Sequence, residues 1–153
     1  MDERSELFIE RMGQLYQASG MPRIAGRMFA LLMLSNAPRS LDEIVELLQV
    51  SKASVSANAR LLGDAGMIER VSKPGDRRDY YAIGPDTGAR VLELRLQWMQ
   101  RLHSVLEEGL ETEPAGEALV HDRLASFSRF LNVMITETRG MLAEWRGAPR
   151  VGR

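Results

Sequence analysis

The side chains best suited to chemistry in this 153-residue sequence are a run of hydroxyls, amides and cations from Ser51 to Arg60, followed by a second basic cluster at Lys73, Arg77 and Arg78. At the helical period, Val55, Ala59 and Leu62 share one face of the first run, which turns Ala53, Ser56, Ala57 and Arg60 outward, with Ser54 and Asn58 on the flanks. Small and hydroxyl side chains let a helix backbone approach the floor of a major groove, where Asn matches adenine and Arg matches guanine. Ser51, Lys52, Ser54, Ser56, Asn58 and Arg60 are therefore candidates for contact with base edges and phosphates. Lys73, Arg77 and Arg78, taken alone, fit a solvated hairpin tip equally well. Their position directly after a groove-compatible helix favours phosphate contact.

Other chemistries find no support in the residues. His103 and His121 are the only histidines and cysteine is absent, so neither a thiolate cluster nor a three- or four-ligand metal site is expected. No nucleophile stands beside a base in a recognisable motif, and Gly63, Gly66 and Gly75 read as helix stops and turns, not as a phosphate cradle. No enzyme activity, cofactor or metal is expected. Met28, Met33, Trp98, Met99, Phe127, Phe130 and Met134 read as core more readily than as a ligand pocket.

The elements that must position the candidates follow from periodicity and capping. Phe8, Met12, Leu15 and Tyr16 predict an amphipathic helix from Ser5 to Ala18, ending near Gly20. Pro22 fits a first helical position, and Ile24 to Leu34, apolar nearly all round, predicts the central buried helix. Asn36 to Arg39 reads as a loop. Ser40 and Glu43 form a capping box ahead of a helix whose buried face is Leu41, Ile44, Val45 and Leu48, and Ser51 caps a second helix running to Ala65 with Gly66 as its stop. Met67 to Ser72 and Asp79 to Ile83 read as strands around a turn at Lys73 to Arg78. A helix from about Asp86 to Leu110, an acidic loop from Glu107 to Glu117 and a last helix to Trp145 follow; that helix carries Val120, Leu124, Phe127, Leu131, Met134, Thr138, Met141 and Trp145.

The expected fold class is mainly α with a small β-hairpin: a winged helix-turn-helix flanked by N- and C-terminal dimerisation helices. Residues 1–20 form the N-terminal helix, 21–84 the winged domain, 85–146 the C-terminal helical dimerisation region, and 147–153 a disordered tail. The opening residues Met1 to Glu6 carry mixed charge, not the pattern of a signal peptide, and the run Met28 to Leu34 is too short to span a bilayer, so no membrane association and a cytoplasmic location are expected. The net charge is −1, but Lys52, Arg60, Arg70, Lys73, Arg77 and Arg78 lie between Ser51 and Asp79, while Glu107, Glu108, Glu111, Glu113 and Glu117 lie beyond, which predicts a locally positive surface.

Four separated motifs in order carry a resemblance: Phe8 to Gly13, Gly20 to Arg27, Ser51 to Arg60, and Pro74 to Tyr81. Over roughly Phe8 to Tyr81 the chain is similar to the GbsR-type branch of the MarR regulators, and beyond it only the long-helix pattern is similar. The resemblance implies a homodimer with interlocked terminal helices on duplex DNA. Each recognition helix would enter a major groove and one wing arginine, either Arg77 or Arg78, a minor groove. It also implies a small effector, of the quaternary ammonium class, held between the DNA-binding region and the dimer helices by residues the sequence does not single out. The expected function is a sequence-specific transcriptional regulator of repressor type on a pseudo-palindromic operator. The alternative is a winged-helix module for protein contacts without DNA.

Overall fold

A computed structural model describes residues 1–147, and the expected tail lies, beyond Gly147, outside the described residues. The chain divides into two compact units, Met1–Thr87 and the segment from Gly88 onward.

The first unit is ordered α1 (Glu3–Ala18), α2 (Arg23–Met33), β1 (Arg39–Ser40), α3 (Leu41–Leu48), α4 (Lys52–Asp64), β2 (Glu69–Lys73) and β3 (Asp76–Ala82). As its apolar circumference predicts, α2 is central and buries Ala25, Met28, Ala30, Leu31 and Leu32. Ile44 and Leu48 of α3, Val55, Ala59 and Leu62 of α4, Ile9 of α1, Ile68 and Tyr81 close the same core around it. Pro22 is the N-cap of α2 and not its first helical residue, an offset of one that costs nothing because the cap N–H needs no partner within the helix.

Helices α1 and α2 meet at glycine. A Cβ on Gly26 would lie 2.5 Å from the Met12 carbonyl and 2.8 Å from Tyr16, and one on Gly13 would lie 2.6 Å from Cγ of Arg27. The two glycines let the backbones approach more closely than any side chain allows. Nearby, the Tyr16 hydroxyl meets the Met67 sulfur at 3.6 Å and the Arg27 guanidinium donates to the Leu48 carbonyl at 3.1 Å, which ties α1 and α2 to the segments flanking the turn.

The sheet has three strands in the order β1-β3-β2, all antiparallel. Arg39–Ser40, read as loop and cap from sequence, pairs with Tyr81 and Tyr80. A two-residue strand carries no alternation to be recognised, so the sequence showed only its second role. In that role Ser40 accepts from the Glu43 N–H at 3.2 Å while the Glu43 carboxylate takes the Ser40 N–H at 2.7 Å, a complete capping box. The hairpin turn is shorter than expected: Pro74 and Gly75 alone form it, with Gly75 at φ 78, and Lys73 pairs with Asp76. Arg77 and Arg78 therefore sit on strand β3, and a register irregularity between Val71 and Lys73 twists the hairpin there.

The second unit contains α5 (Thr87–Leu110), a 3-10 turn at Glu113–Gly116 and α6 (Ala118–Gly147). Helix α5 ends at Leu110 as expected, so Glu107 and Glu108 of the acidic stretch lie on it and the connection proper begins after Leu110. Met99 of α5 packs with Leu131 and Ile135 of α6, flanked by Leu96, Leu102, Leu106 and Met134. Trp98, Phe127 and Phe130, expected in the core, are exposed, as is Met33 of the first unit. Among the described residues no helix is long and apolar enough to cross a membrane.

Candidate nucleic-acid interface

Helix α4 is set by its two ends and one face. Ser51 caps it by accepting from the Ser54 N–H at 3.2 Å, and Gln49, in the left-handed conformation at φ 54, ends α3 just before. That left-handed residue makes the sharp reversal between the two helices, where glycine would be the easier choice. Val55, Ala59 and Leu62 anchor α4 in the core as expected, so the opposite face, with Lys52, Ala53, Ala57 and Arg60, is exposed and Ser54 and Ser56 are half-buried.

Asn58 does not lie on that open face. It is 7% exposed, its side-chain amide donates to the Ser54 carbonyl at 2.8 Å, and its buried Oδ1 has no hydrogen-bond partner among the described residues. The signal was available: at about 100° per residue, Asn58 stands only about 60° from Val55 and on the packed side, whereas Arg60 points away. A groove contact by Asn58 would require its side chain to leave this site. Arg60 is exposed and makes no side-chain hydrogen bond or ion pair among the described residues.

The wing cations differ in their surroundings. The Arg78 guanidinium holds both oxygens of Asp76, at 2.6 Å for the Nη2–Oδ2 contact, and Asp76 also accepts from the Arg78 N–H at 2.9 Å and the Tyr80 hydroxyl at 2.7 Å. These contacts, with the Arg78 guanidinium foremost, hold the Asp76 carboxyl well below the usual carboxylate range. They also raise Tyr80, whose hydroxyl proton is held by the anion. Lys73 lies with Nζ 3.7 Å above the Tyr80 ring, a cation–π contact that leaves the ammonium open to solvent on its other side. Arg77, next to Arg78 but on the other side of the strand, is exposed with no side-chain partner among the described residues.

Between Ser51 and Asp79 the six expected cations stand against four carboxylates, Asp64, Glu69, Asp76 and Asp79, so the local excess of positive charge is small, and it vanishes when α3 and β1 are included. From Arg39 to Asp79 there are seven cations, Arg39, Lys52, Arg60, Arg70, Lys73, Arg77 and Arg78, and seven carboxylates, Asp42, Glu43, Glu46, Asp64, Glu69, Asp76 and Asp79. Four of the cations are paired: Arg39 with Glu43, Lys52 with Asp42 at 2.7 Å, Arg70 with Asp79, and Arg78 with Asp76. Counting only the distant acidic loop overlooked carboxylates interleaved within the segment itself. Arg60, Lys73 and Arg77 are the cations of this face without an ion pair among the described residues.

In the second unit His103, Glu107 and Ser128 converge between α5 and α6, a cluster that sequence spacing could not reveal because it joins two helices. Ser128 Oγ lies 3.0 Å from His103 Nε2 and donates to Glu107 at 2.5 Å. Serine and glutamate both approach the same ring nitrogen and Ser128 is buried, so the cluster is a structural hydrogen-bond knot and lacks the geometry of a nucleophile, base and orienting acid. Among the described residues no three His, Cys, Asp or Glu side chains gather where a metal ion could sit.

Comparison with known proteins agrees with this architecture. Residues 19–79, the span from the end of α1 to the middle of the wing, match the MarR family model. Over 104 residues the chain is 34% identical to the HTH-type transcriptional regulator MmpR5 of Mycobacterium tuberculosis, covering 67% of this chain and 63% of that protein, so the chain spans less than two thirds of this relative. It is 29% identical over 86 residues to the HTH-type transcriptional repressor OpcR of Bacillus subtilis, covering 56% of this chain and 46% of that one. A crystal structure of a transcriptional regulator superposes with a TM-score of 0.88 at 27% identity, covering 95% of this chain and 99% of that chain. In its capped helix pair, its three-stranded wing and these matches, the chain is similar to the MarR family of transcriptional regulators.

Proposed function

We propose that the chain is a sequence-specific DNA-binding regulator of repressor type, acting in the cytoplasm as a homodimer on a pseudo-palindromic operator. The observation that carries this reading is α4: a capped helix anchored by Val55, Ala59 and Leu62 that presents Lys52, Ala53, Ala57 and Arg60 to solvent beside a wing bearing Arg77. Ser51, Lys52, Ser54, Ser56 and Arg60 contact base edges and phosphates from the recognition helix, and Asn58 joins them if its amide leaves the Ser54 carbonyl. Lys73, Arg77 and Arg78 contact the backbone and minor groove. Arg78 is held in one orientation by Asp76, which suits insertion into a narrow groove, and Arg77 is free to reach phosphate.

The dimer reading rests on a second apolar stripe of α6. Residues 128, 131, 135, 138 and 142 are buried within the unit, yet Phe127, Phe130, Met141 and Trp145 are exposed on a stripe turned by about 60–120° from their mean direction at about 100° per residue. Trp98 and Val105 of α5 are exposed as well. Exposed apolar side chains in this number are normally covered by a partner subunit, and residues 85–146 accordingly serve as the dimerisation region. Assignment to the GbsR-type branch and control by a small effector remain with the motif resemblance, and the repressor role is supported by the likeness to a relative named as a repressor.

The test is selection of bound sequences from a random duplex library at fixed salt, followed by mobility shifts of the enriched duplex across a salt series. A regulator enriches a two-fold related pair of half-sites and loses affinity steeply with salt. A winged helix used only for protein contacts enriches nothing.

A further inference from the structure

We infer that Arg27 of α2 is a positioning residue for DNA recognition, which holds the turn between α3 and α4 in the geometry that the specific complex requires. This rests on the DNA-binding reading given above. The Arg27 guanidinium donates through Nη2 to the carbonyl of Leu48, the last residue of α3, at 3.1 Å, a part-buried bond between segments far apart in the chain. Its Nε is buried 3.3 Å from Glu10 Oε2 of α1, close enough for an ion pair but not aligned for a hydrogen bond, so the directed bond of the group is the one to Leu48. Gly13 of α1 makes room for the side chain, since a Cβ there would stand 2.6 Å from Arg27 Cγ.

The carbonyl that Arg27 reaches is where the turn is set. Only Gln49 and Val50 separate Leu48 from Ser51, the cap of α4. Gln49 takes the left-handed conformation at φ 54 and is the one non-glycine residue with positive φ among those described. A side chain persists in that conformation only where its surroundings impose it. Here the N–H groups of Gln49 and Val50 both go to the Val45 carbonyl, the Gln49 side-chain amide goes to the Glu46 carbonyl at 2.7 Å, and Arg27 takes the Leu48 carbonyl. The first three bonds are made within α3 and its own turn. Among the described residues, Arg27 is the one that ties this turn to another element by a hydrogen bond, and it brings a positive charge to the negative end of the α3 dipole.

Ile44 and Leu48 share a core with Val55 and Leu62, which keeps α3 and α4 together. Apolar burial is non-directional, however, whereas a hydrogen bond to the turn carbonyl specifies one orientation of that peptide. A specific complex needs α4 and the wing in one mutual orientation, and any orientation not fixed beforehand must be fixed at the expense of binding. A non-specific complex, held by phosphates in no set register, makes no such demand. Loss of the Arg27 bond therefore weakens the first complex more than the second. Because Arg27 acts through the turn and not on DNA, its loss leaves the number of phosphate contacts unchanged, and with it the salt dependence.

The experiment compares the unaltered chain with Arg27→Met, which keeps the apolar stem over Gly13 and removes the donors, and with Arg27→Lys, which keeps the charge but lacks the planar fork that serves Leu48 and Glu10 together. Arg23→Met is the control. Arg23 lies one turn earlier on α2 and donates to the same Glu10 at 2.8 Å, but it makes no bond to the turn among the described residues, so its loss removes the same charge and leaves the turn intact. Probes are a random-sequence duplex and the duplex enriched by the unaltered chain, each titrated across a salt series at a temperature where melting curves show the chains folded. The ratio of enriched to random affinity should fall at least about fivefold for Arg27→Met, within the roughly tenfold or more that a hydrogen bond from a charged donor supplies, and at least about twofold for Arg27→Lys. Arg23→Met should leave the ratio unchanged, and the salt slope should stay that of the unaltered chain for both Arg27 variants. The lysine variant decides the matter alone if the methionine variant does not fold. An unchanged ratio in the folded Arg27 variants, or the same fall from Arg23→Met, would make Arg27 merely structural and overturn the positioning role. A slope shallower by about 0.9 would make it a phosphate ligand and overturn that role as well. Each of these results leaves the regulator reading in place, because the unaltered chain still binds its enriched duplex. If the unaltered chain binds neither duplex at low salt, the regulator reading fails and this one fails with it.

Discussion

Replacing glycine by alanine at two helical positions of the first unit should move stability in opposite directions. At Gly63, in the last turns of α4, nothing lies within 4 Å of an added Cβ, and the residue is exposed. Alanine there gains only the helix-propensity difference, about 0.5–1 kcal/mol. At Gly26 the same gain is available, but the new Cβ meets the Met12 carbonyl at 2.5 Å and Tyr16 at 2.8 Å. A backbone carbonyl in the middle of a helix cannot rotate aside, so α1 must lift from α2, and overpacking of this kind costs about 1–3 kcal/mol before the lost contacts are counted. The expected net effect is a loss of about 1–2 kcal/mol for Gly26→Ala, and at about 2–4 °C per kcal/mol for a chain of this length the two variants should melt on opposite sides of the parent. Thermal and urea melts followed by circular dichroism read this directly. A Gly26→Ala variant as stable as the parent, or a Gly63→Ala variant less stable than it, would refute the close-approach account of the α1–α2 contact.

Arg60→Ala should leave the melting temperature unchanged and, if the guanidinium makes a bidentate base contact, weaken binding to the enriched duplex by about 1–3 kcal/mol. Asn58→Ala gives up a hydrogen bond worth about 1 kcal/mol but also removes a buried acceptor without a partner, so its stability should stay within about 1 kcal/mol of the parent and its base preference should not change. Relaxed preference at one base pair would return Asn58 to the groove. Phe130→Glu, on the exposed stripe of α6, should yield a folded monomer by sedimentation, whereas Leu131→Glu, at 3% exposure, should unfold the second unit; an intact Phe130→Glu dimer would place the interface elsewhere. The Ser40 N–H, then the Ser40 hydroxyl, lower the Glu43 carboxyl, so the ionised capping box adds stability above the usual carboxylate range that is lost as pH falls through the lowered value. Glu43→Gln, which cannot ionise, should therefore show a flatter loss of stability on acidification in melts from neutral to acidic pH, and a parallel acid profile would deny Glu43 that role.

Where the local chemistry was one-dimensional, the residues spoke for themselves. The capping box at Ser40 and Glu43, the Ser51 cap and the buried circumference of α2 each depend on neighbours within one or two turns, and each was legible. What the sequence hid depends on pairing between distant segments. The two-residue strand β1 exists only because β3 lies beside it, the ion pairs of Asp42 and Asp79 form only when elements meet, and the His103–Ser128 contact joins two helices. Asn58 differs in kind: amide chemistry alone suggests a base contact, whereas its place on the helical wheel, one step from Ala59, puts it on the packed side. The core assignment of Trp98, Phe127 and Phe130 failed because periodicity reports that a stripe is apolar, not whether the chain itself or another chain covers it.

Ser40 is at once the last residue of β1, paired with Tyr80 of the wing, and the cap from which α3 starts. No slack chain separates the sheet from the helix pair, so the wing and the helix pair are joined as a gauge of fixed span. On duplex DNA, a body that touches a major groove with one arm and the adjoining minor groove with the other measures the angular offset between them. Such a gauge responds to torsion: overwinding or underwinding the duplex moves one groove off its arm while every base in the site stays the same. On the DNA-binding reading proposed above, superhelical density would then enter the affinity alongside sequence.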